Sequence, residues 1–339
     1  MNEGVESRVR EKSGAVELAV ATDVEQGKRN LDTHGYTIHK NFLSPEQLEA
    51  LRARLIEQGE MELTAGVALV SSSGHAGDDR HYSGAEGNTL PISQQIAFLP
   101  NKGVEFRAAM HHPVALEYAQ HAFREAPFNV VVQGGSFLRK GGKRQVLHAD
   151  QQAWPFSTPM PVMLNVLVAL SDFDADMGAT NIVPGSHLHP SPDLALAPEQ
   201  AAAEIGSALV PMVCKAGDAM VFESRTWHCQ GDSTSEKTRM VFGTVYGLHC
   251  VKPQDDYPAL IHDTVYEQLS EQDREMLGFK VHFEYAGRIG PRYPGDVRRN
   301  TNAAFPYVPE LHRGANNEPV VAAEGMIAIQ AEKLATNVA

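Results

Sequence analysis

The sequence predicts a mainly β fold with flanking helices, of the sandwich, barrel or jelly-roll type. Four runs between residues 128 and 250 are rich in β-branched or aromatic residues and are bounded by Gly, Pro and Asp, as short buried strands are. No regular helices separate these runs, which argues against a doubly wound α/β sheet. The runs are FNVVVQGGSFLRK, VMLNVLVALSDF, ALVPMVCKAGDAMVFES and RMVFGTVYGLHC.

The N-terminal third predicts an arm, a short strand and a helix. Residues 1–30 are polar and aperiodic, which indicates a flexible arm. Tyr36–Ile38 is typical of a short strand. A helix is expected to begin at Ser44, which suits the N-cap, with Pro45 at the first helical position. Its apolar stripe consists of Leu48, Leu51, Leu55 and Ile56.

The remaining segments complete a one-domain prediction. Residues 71–89 are rich in Gly, Ser and Asp and predict a long loop, either an active-site lid or a plain surface loop. Residues 104–124 have helical character, and KAGDAMVF predicts a turn that leads into a buried strand. The domain is expected to span 31–319, with 320–339 as a C-terminal tail.

Composition and charge indicate a globular protein that binds neither nucleic acid nor membranes. Of 339 residues, 42% are hydrophobic and 21% are charged, which is enough apolar material for a large core. The formal net charge of −13 argues against nucleic acid and anionic membranes, because both select clustered Lys and Arg.

Cysteine usage and the lack of targeting signals predict a cytoplasmic location. The three cysteines are odd in number and show no CxxC spacing, which favours a reducing compartment. The N-terminal residues contain no apolar stretch typical of a signal peptide, and no apolar run reaches the roughly 18 residues of a membrane span.

A histidine and a carboxylate stand two residues apart in RQVLHADQQAWP, at His148 and Asp150. On a strand, residues at this spacing point to the same face. His228 in RTWHCQG supplies a third ligand. Two histidines and one carboxylate on one face of a metal leave the other positions open, as in non-haem Fe(II) oxygenases. His187 and His189 are weaker candidates for the third ligand, because neither is followed by an arginine at a suitable distance, as His228 is by Arg239.

Arg239 follows His228 by eleven residues, inside TRMVFGTVYG. A guanidinium fork pairs with a carboxylate through two hydrogen bonds. A strand beyond the third ligand is where the distal carboxylate of 2-oxoglutarate would lie. The spacing therefore adds a cosubstrate anchor to the hypothesis of an iron site.

Together, HxD, GATNIVPGSH, KAGDAMVF, WH and the downstream arginine resemble the phytanoyl-CoA dioxygenase family of Fe(II)/2-oxoglutarate-dependent oxygenases. The resemblance covers roughly residues 34–255. It implies a double-stranded β-helix (jelly roll, cupin-like) and three reactants at the site: Fe(II), 2-oxoglutarate and O₂.

The resemblance also implies residue roles. His148, Asp150 and His228 become the iron ligands, and Arg239 holds the distal carboxylate of 2-oxoglutarate. Four further residues are implied as contacts of the cosubstrate or the site, namely Gln145, Asn165, Thr180 and Trp154.

The reaction implied is oxidation of an unactivated C–H bond of a small molecule, with release of succinate and CO₂. Asp150 favours hydroxylation or a related oxidation (desaturation, ring formation, epoxidation) over halogenation, because halogenating relatives have a small residue at this position. A natural-product intermediate is preferred as substrate over an acyl-CoA, since no dense basic patch stands out. Two alternatives remain open: a zinc hydrolase or isomerase on a cupin-like barrel, and a catalytically silent binding protein. Assembly into a homo-oligomer is left open.

Overall fold

The computed structural model describes residues 17–73, 81–84, 89–153 and 158–280. In this part of the chain, nine strands form a large sheet and three form a small one. The large sheet has the order β1-β2-β10-β7-β12-β6-β5-β3-β4, and the small sheet has the order β11-β8-β9. The strands are β1 (Val20–Ala21), β2 (Tyr36–His39), β3 (Ala68–Ser71), β4 (His81–Ser83), β5 (Ser93–Ile96), β6 (Phe128–Leu138), β7 (Met163–Ala169), β8 (Thr180–Ile182), β9 (Val210–Pro211), β10 (Ala219–Glu223), β11 (His228–Gln230) and β12 (Arg239–Leu248).

Helices pack against both sheets, most of them against the large one. They are α1 (Val24–His34), α2 (Pro45–Thr64), α3 (Val104–Ala109), α4 (Pro113–Ala122), α5 (Pro198–Glu204), α6 (Tyr257–Leu260), α7 (Asp263–Tyr266) and α8 (Glu271–Met276). Within the described residues, no helix combines the length and the apolar character needed to cross a bilayer.

The two faces of the large sheet have different partners. Because successive residues of a strand point to opposite faces, Val166 and Val168 of β7 face one way and Asn165 the other. Val166 and Val168 share a buried cluster with side chains of α2, α3 and α4, including Leu55, Phe106 and Tyr118. This helix-covered side, which carries Val166 and Val168, is the outer face of the sheet.

The opposite, inner face packs against the small sheet. Ile182 of β8 shares a buried cluster with three side chains of the large sheet, Ile38, Met220 and Phe222. The expectation of a mainly β fold with flanking helices is therefore confirmed. The large sheet is an open mixed sheet, since β1 and β2 pair in parallel and the other pairs are antiparallel.

Several helices and strands begin where local sequence signals predicted them. The hydroxyl of Ser44 accepts a hydrogen bond from the backbone N–H of Gln47, and the side chain of Gln47 accepts from the Ser44 N–H. This capping box fixes the start of α2. The strand predicted at Tyr36–Ile38 is present as β2, and the turn in KAGDAMVF leads into β10, whose residues are all buried.

Three predictions need correction. The arm expected over 1–30 is wrong from residue 17 onward, because β1 pairs with β2 and α1 begins at Val24. The helix expected over 104–124 is two helices, since Pro113 lacks the N–H needed to continue the first and begins the second. The loop expected over 71–89 contains β4, which pairs with β3. Residues 1–16, 74–80, 85–88 and the predicted tail at 320–339 lie outside the described residues, and the boundary at 319 stays a prediction.

Candidate metal centre

His148 and His228 face each other across a backbone bridge. The His148 N–H donates to the His228 carbonyl at 3.0 Å, and the His228 N–H donates to the His148 carbonyl at 2.8 Å. Asp150 begins a 3₁₀ turn that runs to Ala153. The prediction that His148 and Asp150 share one strand face is therefore wrong: the bridge and the turn bring their side chains together instead.

The three predicted ligands converge on one point. Nε2 of His148 lies 3.9 Å from Oδ1 of Asp150, and Nε2 of His228 lies 3.7 Å from the same oxygen. Two ligand atoms bound to one ion at about 2.1 Å are at most about 4.2 Å apart. A single metal ion can therefore bridge both pairs. Among the described residues, these three form the group of His, Cys, Asp and Glu side chains that could hold a metal.

Backbone carbonyls fix the orientation of both imidazoles. Nδ1 of His148 lies 2.8 Å from the carbonyl of Val146, and Nδ1 of His228 lies 3.0 Å from the carbonyl of Thr226. A carbonyl can only accept, so each Nδ1 carries the proton and each Nε2 keeps its lone pair for a metal. Burial holds the pKa of His228 below its usual value, although the charge of Asp150 acts in the opposite direction. The neutral ring is the form that binds a metal.

Asp150 is held from two sides. The side-chain amide of Asn165 donates to Oδ2 of Asp150 at 2.7 Å, which leaves Oδ1 for the metal position. The next residue, Gln151, anchors the turn, because its side-chain oxygen accepts from the Ser224 hydroxyl at 2.8 Å and from the Val162 N–H at 3.2 Å. Sequence reasoning missed Gln151, whose only signal was its position beside the HxD motif.

Phe222 is a second residue that sequence reasoning missed. Its ring centroid lies 4.6 Å from that of His228, with the planes at 54°. Phe222 pairs with Asn165 in the adjacent strand, so the two side chains share the inner face. An alternating reading of the buried strand in KAGDAMVF could have found it. The ring of Phe222 therefore gives the imidazole of His228 an apolar neighbour.

Arg239 is a buried cation without an ionic partner in the described part of the chain. It begins β12, is 6% exposed, and donates one guanidinium N–H to the carbonyl of Gly178. Its guanidinium lies 5.2 Å from the ring centroid of Phe173, and within the described ranges its Nε has no hydrogen-bond partner. Burial lowers its pKa to about 10. A buried charge in this state favours an anionic ligand.

Strand β8 connects the surroundings of Arg239 with those of His228. Gly178, which accepts from Arg239, precedes the strand, and Ile182 at its end pairs with His228. Thr180 lies between them and is buried. Alternate residues of a strand share a face and are about 6.6 Å apart. Thr180 therefore lies between the end of the segment that contacts the Arg239 guanidinium and the end that pairs with His228, a candidate metal ligand.

The other residues predicted to contact the cosubstrate or the site are Gln145, Asn165 and Trp154, and their roles stay predictions. The side-chain oxygen of Gln145 accepts from the backbone N–H of Gln230 at 3.0 Å, so it ties two chain segments together. Asn165 contacts Asp150, as described above. Trp154 lies outside the described residues. Of the rival histidines, His187 is buried and its Nε2 lies 3.3 Å from the carbonyl of Asp32, outside the ligand group.

The fold and the site together define a class of protein. Two packed β-sheets hold two imidazole nitrogens and one carboxylate oxygen around a common point, with a buried guanidinium on the same side of the large sheet. This set belongs to the non-haem Fe(II)/2-oxoglutarate-dependent oxygenases.

Comparison with known proteins assigns the family. The family model described as phytanoyl-CoA dioxygenase (PhyH) matches residues 31–241. The dioxygenase olcK of Penicillium canescens is 33% identical over 281 residues, which cover 79% of this chain and 83% of olcK. The dioxygenase trt7 of Aspergillus terreus is 24% identical over 294 residues, which cover 81% of this chain and 90% of trt7. The chain belongs to the phytanoyl-CoA dioxygenase family.

A solved structure confirms the jelly-roll expectation. The epimerase SnoN, in complex with Fe³⁺, α-ketoglutarate and nogalamycin RO, superimposes with a TM-score of 0.50 at 23% identity. The match covers 67% of this chain and 84% of SnoN. The chain therefore has the double-stranded β-helix, and its membership of the dioxygenase family makes it an enzyme of the oxygenase class.

Proposed function

We propose that this enzyme hydroxylates an unactivated C–H bond of a small natural-product intermediate, using Fe(II), 2-oxoglutarate and O₂. The observation that carries the proposal is the pairing of an open three-ligand group with a buried, uncompensated arginine. Each feature retains atoms that meet no counterpart among the described residues: one donor atom on each of the three side chains, and the charge of Arg239. A ferrous ion and a dicarboxylate would supply both partners.

The residues fit the metal. His148 and His228 would hold it through Nε2, and Asp150 through Oδ1, since the remaining polar atoms of all three side chains are committed to other groups. Such an ion, together with 2-oxoglutarate, would supply the chemistry of O₂ activation, in which succinate and CO₂ are released. The protein's own contribution is to fix the donor atoms and to present the substrate.

Arg239 would hold the distal carboxylate of 2-oxoglutarate. Its guanidinium is buried, and its Nε has no hydrogen-bond partner among the described residues. A carboxylate paired with it would gain charge-assisted hydrogen bonds in a site that excludes water. Thr180 lies along β8 between this end and the metal end, which supports a contact with the middle of the cosubstrate. Gln145 could reach the cosubstrate only through its amide nitrogen, because its oxygen is bound to Gln230.

The substrate class follows from the site and its relatives. Asp150 occupies the position where a halogenating enzyme would admit chloride, which supports hydroxylation. SnoN holds nogalamycin RO, a small molecule, and this supports a small-molecule substrate here. Cys214 and Cys229 are free and buried, which supports a reducing, cytoplasmic location.

The test is substrate-dependent succinate formation. The full chain is loaded with Fe(II) and ascorbate under nitrogen, exposed to air with 2-oxoglutarate, and screened against a panel of metabolites. We expect at least one compound to raise succinate release with iron and none to do so with zinc. His228→Ala should abolish the signal, whereas His189→Ala, which alters an exposed histidine, should retain it. Turnover of a panel compound by the zinc form without 2-oxoglutarate would instead establish a hydrolase or isomerase.

A further inference from the structure

Asn165 is a polar side chain on a strand of apolar residues. It occupies the middle of MLNVLVA in β7, and it is 6% exposed. Burying an amide costs free energy unless its hydrogen bonds are made. One of them is the contact of 2.7 Å from Nδ2 to Oδ2 of Asp150. The hydrogen bond to the Asp150 carboxylate therefore offsets part of the free-energy cost of burying the Asn165 amide.

The position of this amide is fixed by the sheet. Asn165 pairs with Phe222 on one side and with Val245 on the other, so its backbone belongs to the centre of the large sheet. Asp150, in contrast, lies at the start of a short 3₁₀ turn. The rigid strand thus holds the carboxylate of a less regular segment, and it does so through one oxygen only.

The two oxygens of Asp150 consequently have different surroundings. Oδ1 lies within 3.9 Å of both histidine Nε2 atoms, whereas Oδ2 is bound to Asn165. In the described part of the chain, Asn165 is the only side chain that hydrogen-bonds to Oδ2. We propose that Asn165 is a positioning residue that restricts Asp150 to one-oxygen metal binding. This inference rests on the proposed function.

One-oxygen binding by Asp150 matters because it determines how many coordination positions of the ferrous ion remain for other ligands. An octahedral ferrous ion has six positions, and two histidines with one carboxylate oxygen fill three. A keto acid bound through two oxygens takes two more, which leaves one for O₂. If Asp150 bound through both oxygens, that last position would be filled. Asn165 therefore reserves the position for O₂.

Nitric oxide, used as a surrogate for O₂, tests this inference without turnover. The parent and Asn165→Leu are loaded with Fe(II) under nitrogen, then with 2-oxoglutarate, and titrated with nitric oxide by electron paramagnetic resonance. We expect the variant to bind iron and 2-oxoglutarate like the parent, and nitric oxide at least about tenfold more weakly. The matched control is Asn181→Leu, since the amide of Asn181 donates to the carbonyl of Ala179 and not to Asp150; it should behave like the parent.

Two results would overturn the inference. One is an Asn165→Leu protein that binds nitric oxide as tightly as the parent, and the other is one that loses its iron, because Asn165 would then retain the metal rather than restrict its ligand. Asn165→Ser, with a side chain too short to reach Asp150, is scored in the same way if the leucine variant does not fold. A parent that binds neither iron nor 2-oxoglutarate would contradict the proposed function itself, which is a distinguishable result.

Discussion

At the scale of single residues, each of the three proposed metal ligands keeps one donor atom free of hydrogen bonds within the described part of the chain. The backbone carbonyls of Val146 and Thr226 take the Nδ1 protons of the two histidines, and Asn165 takes one oxygen of Asp150. These contacts select the binding atoms before any metal arrives. The geometry therefore reduces the entropy lost when the site closes on an ion.

Replacing Arg239 with Ala should weaken 2-oxoglutarate binding by about 30-fold or more, because truncating a buried charged partner costs about 2–5 kcal/mol. Metal affinity should stay unchanged, since Arg239 is not among the ligand group. The measurement is calorimetric titration of 2-oxoglutarate into the nickel-loaded protein. Lys237→Ala removes an exposed cation just before β12 and serves as the control. Equal affinity in Arg239→Ala and the parent would refute the anchor assignment.

Residue identity could be predicted from the sequence better than residue contacts could. His148, Asp150 and His228 were found from spacing, and the structure brings them together. The contact of Asn165 with Asp150 was not predicted, because it joins two segments whose separation in space depends on the turn after His148. Gln151 was missed for the same reason, since its partners lie just after β10 and just before β7.

At the scale of elements, α1 illustrates a conflict between helix propensity and packing. Gly27 is the fourth residue of the helix, and inside a helix Gly is about 1 kcal/mol less favourable than Ala. A Cβ at this position would lie 1.7 Å from the hydroxyl oxygen of Tyr118. That hydroxyl is itself bound to Nδ1 of His39 at 2.7 Å. The glycine therefore allows α4 to approach α1 closely.

Gly27→Ala should accordingly destabilise the protein by about 1–3 kcal/mol, the usual cost of overpacking, despite the better helix propensity of alanine. The measurement is urea denaturation followed by circular dichroism. Arg29→Ala in the same helix alters an exposed side chain and should change stability by less than about 0.5 kcal/mol. A stabilised Gly27→Ala protein would show that Tyr118 moves aside at no cost.

Elements with strong local signals were predicted well, and those formed by distant pairing were not. The capping box of Ser44 and Gln47 is local, and α2 begins where it indicates. β1 and β4 consist of two and three residues and exist through their pairing with β2 and β3. Segments of two or three residues are too short to carry a periodicity from which a strand could be inferred.

At the scale of the whole molecule, the large sheet has helix packing on its outer face and the candidate site on its inner face. Its outer face is sealed by helices around Leu55, Phe106 and Tyr118, and its inner face carries Asn165 and Arg239 toward the small sheet. The helices stabilise the sheet without contributing ligands. The rigidity of that packed layer is what fixes the distances at the site.

Stability should depend on pH through Asp255, a buried carboxylate behind the same sheet. Burial raises the pKa of Asp255 to about 6, while the hydroxyl of Tyr257, which donates to it at 3.1 Å, acts the other way. The folded protein thus binds this proton more tightly than the unfolded chain does. Stability from the protonated group is present below the unfolded value of 3.8 and is lost as pH rises through about 6.

Asp255→Asn should therefore be more stable than the parent above pH 6, by about 3 kcal/mol at most, and equal to it near pH 4. Denaturant unfolding at several pH values measures the difference. Asp256→Asn removes one negative charge at an exposed neighbouring position and controls for the change in net charge. A constant difference between Asp255→Asn and the parent across this range would contradict the assignment.

The central claim is that one ferrous ion, held by His148, Asp150 and His228, keeps positions free for a keto acid. Anaerobic titration of 2-oxoglutarate into the Fe(II)-loaded protein tests it most directly, because chelation of iron by a keto acid produces a visible absorption band. We predict a band that saturates at one keto acid per chain and is absent in His148→Ala and His228→Ala. A parent protein that binds iron but shows no band, or a His228→Ala protein that shows the parent's band, would contradict the claim.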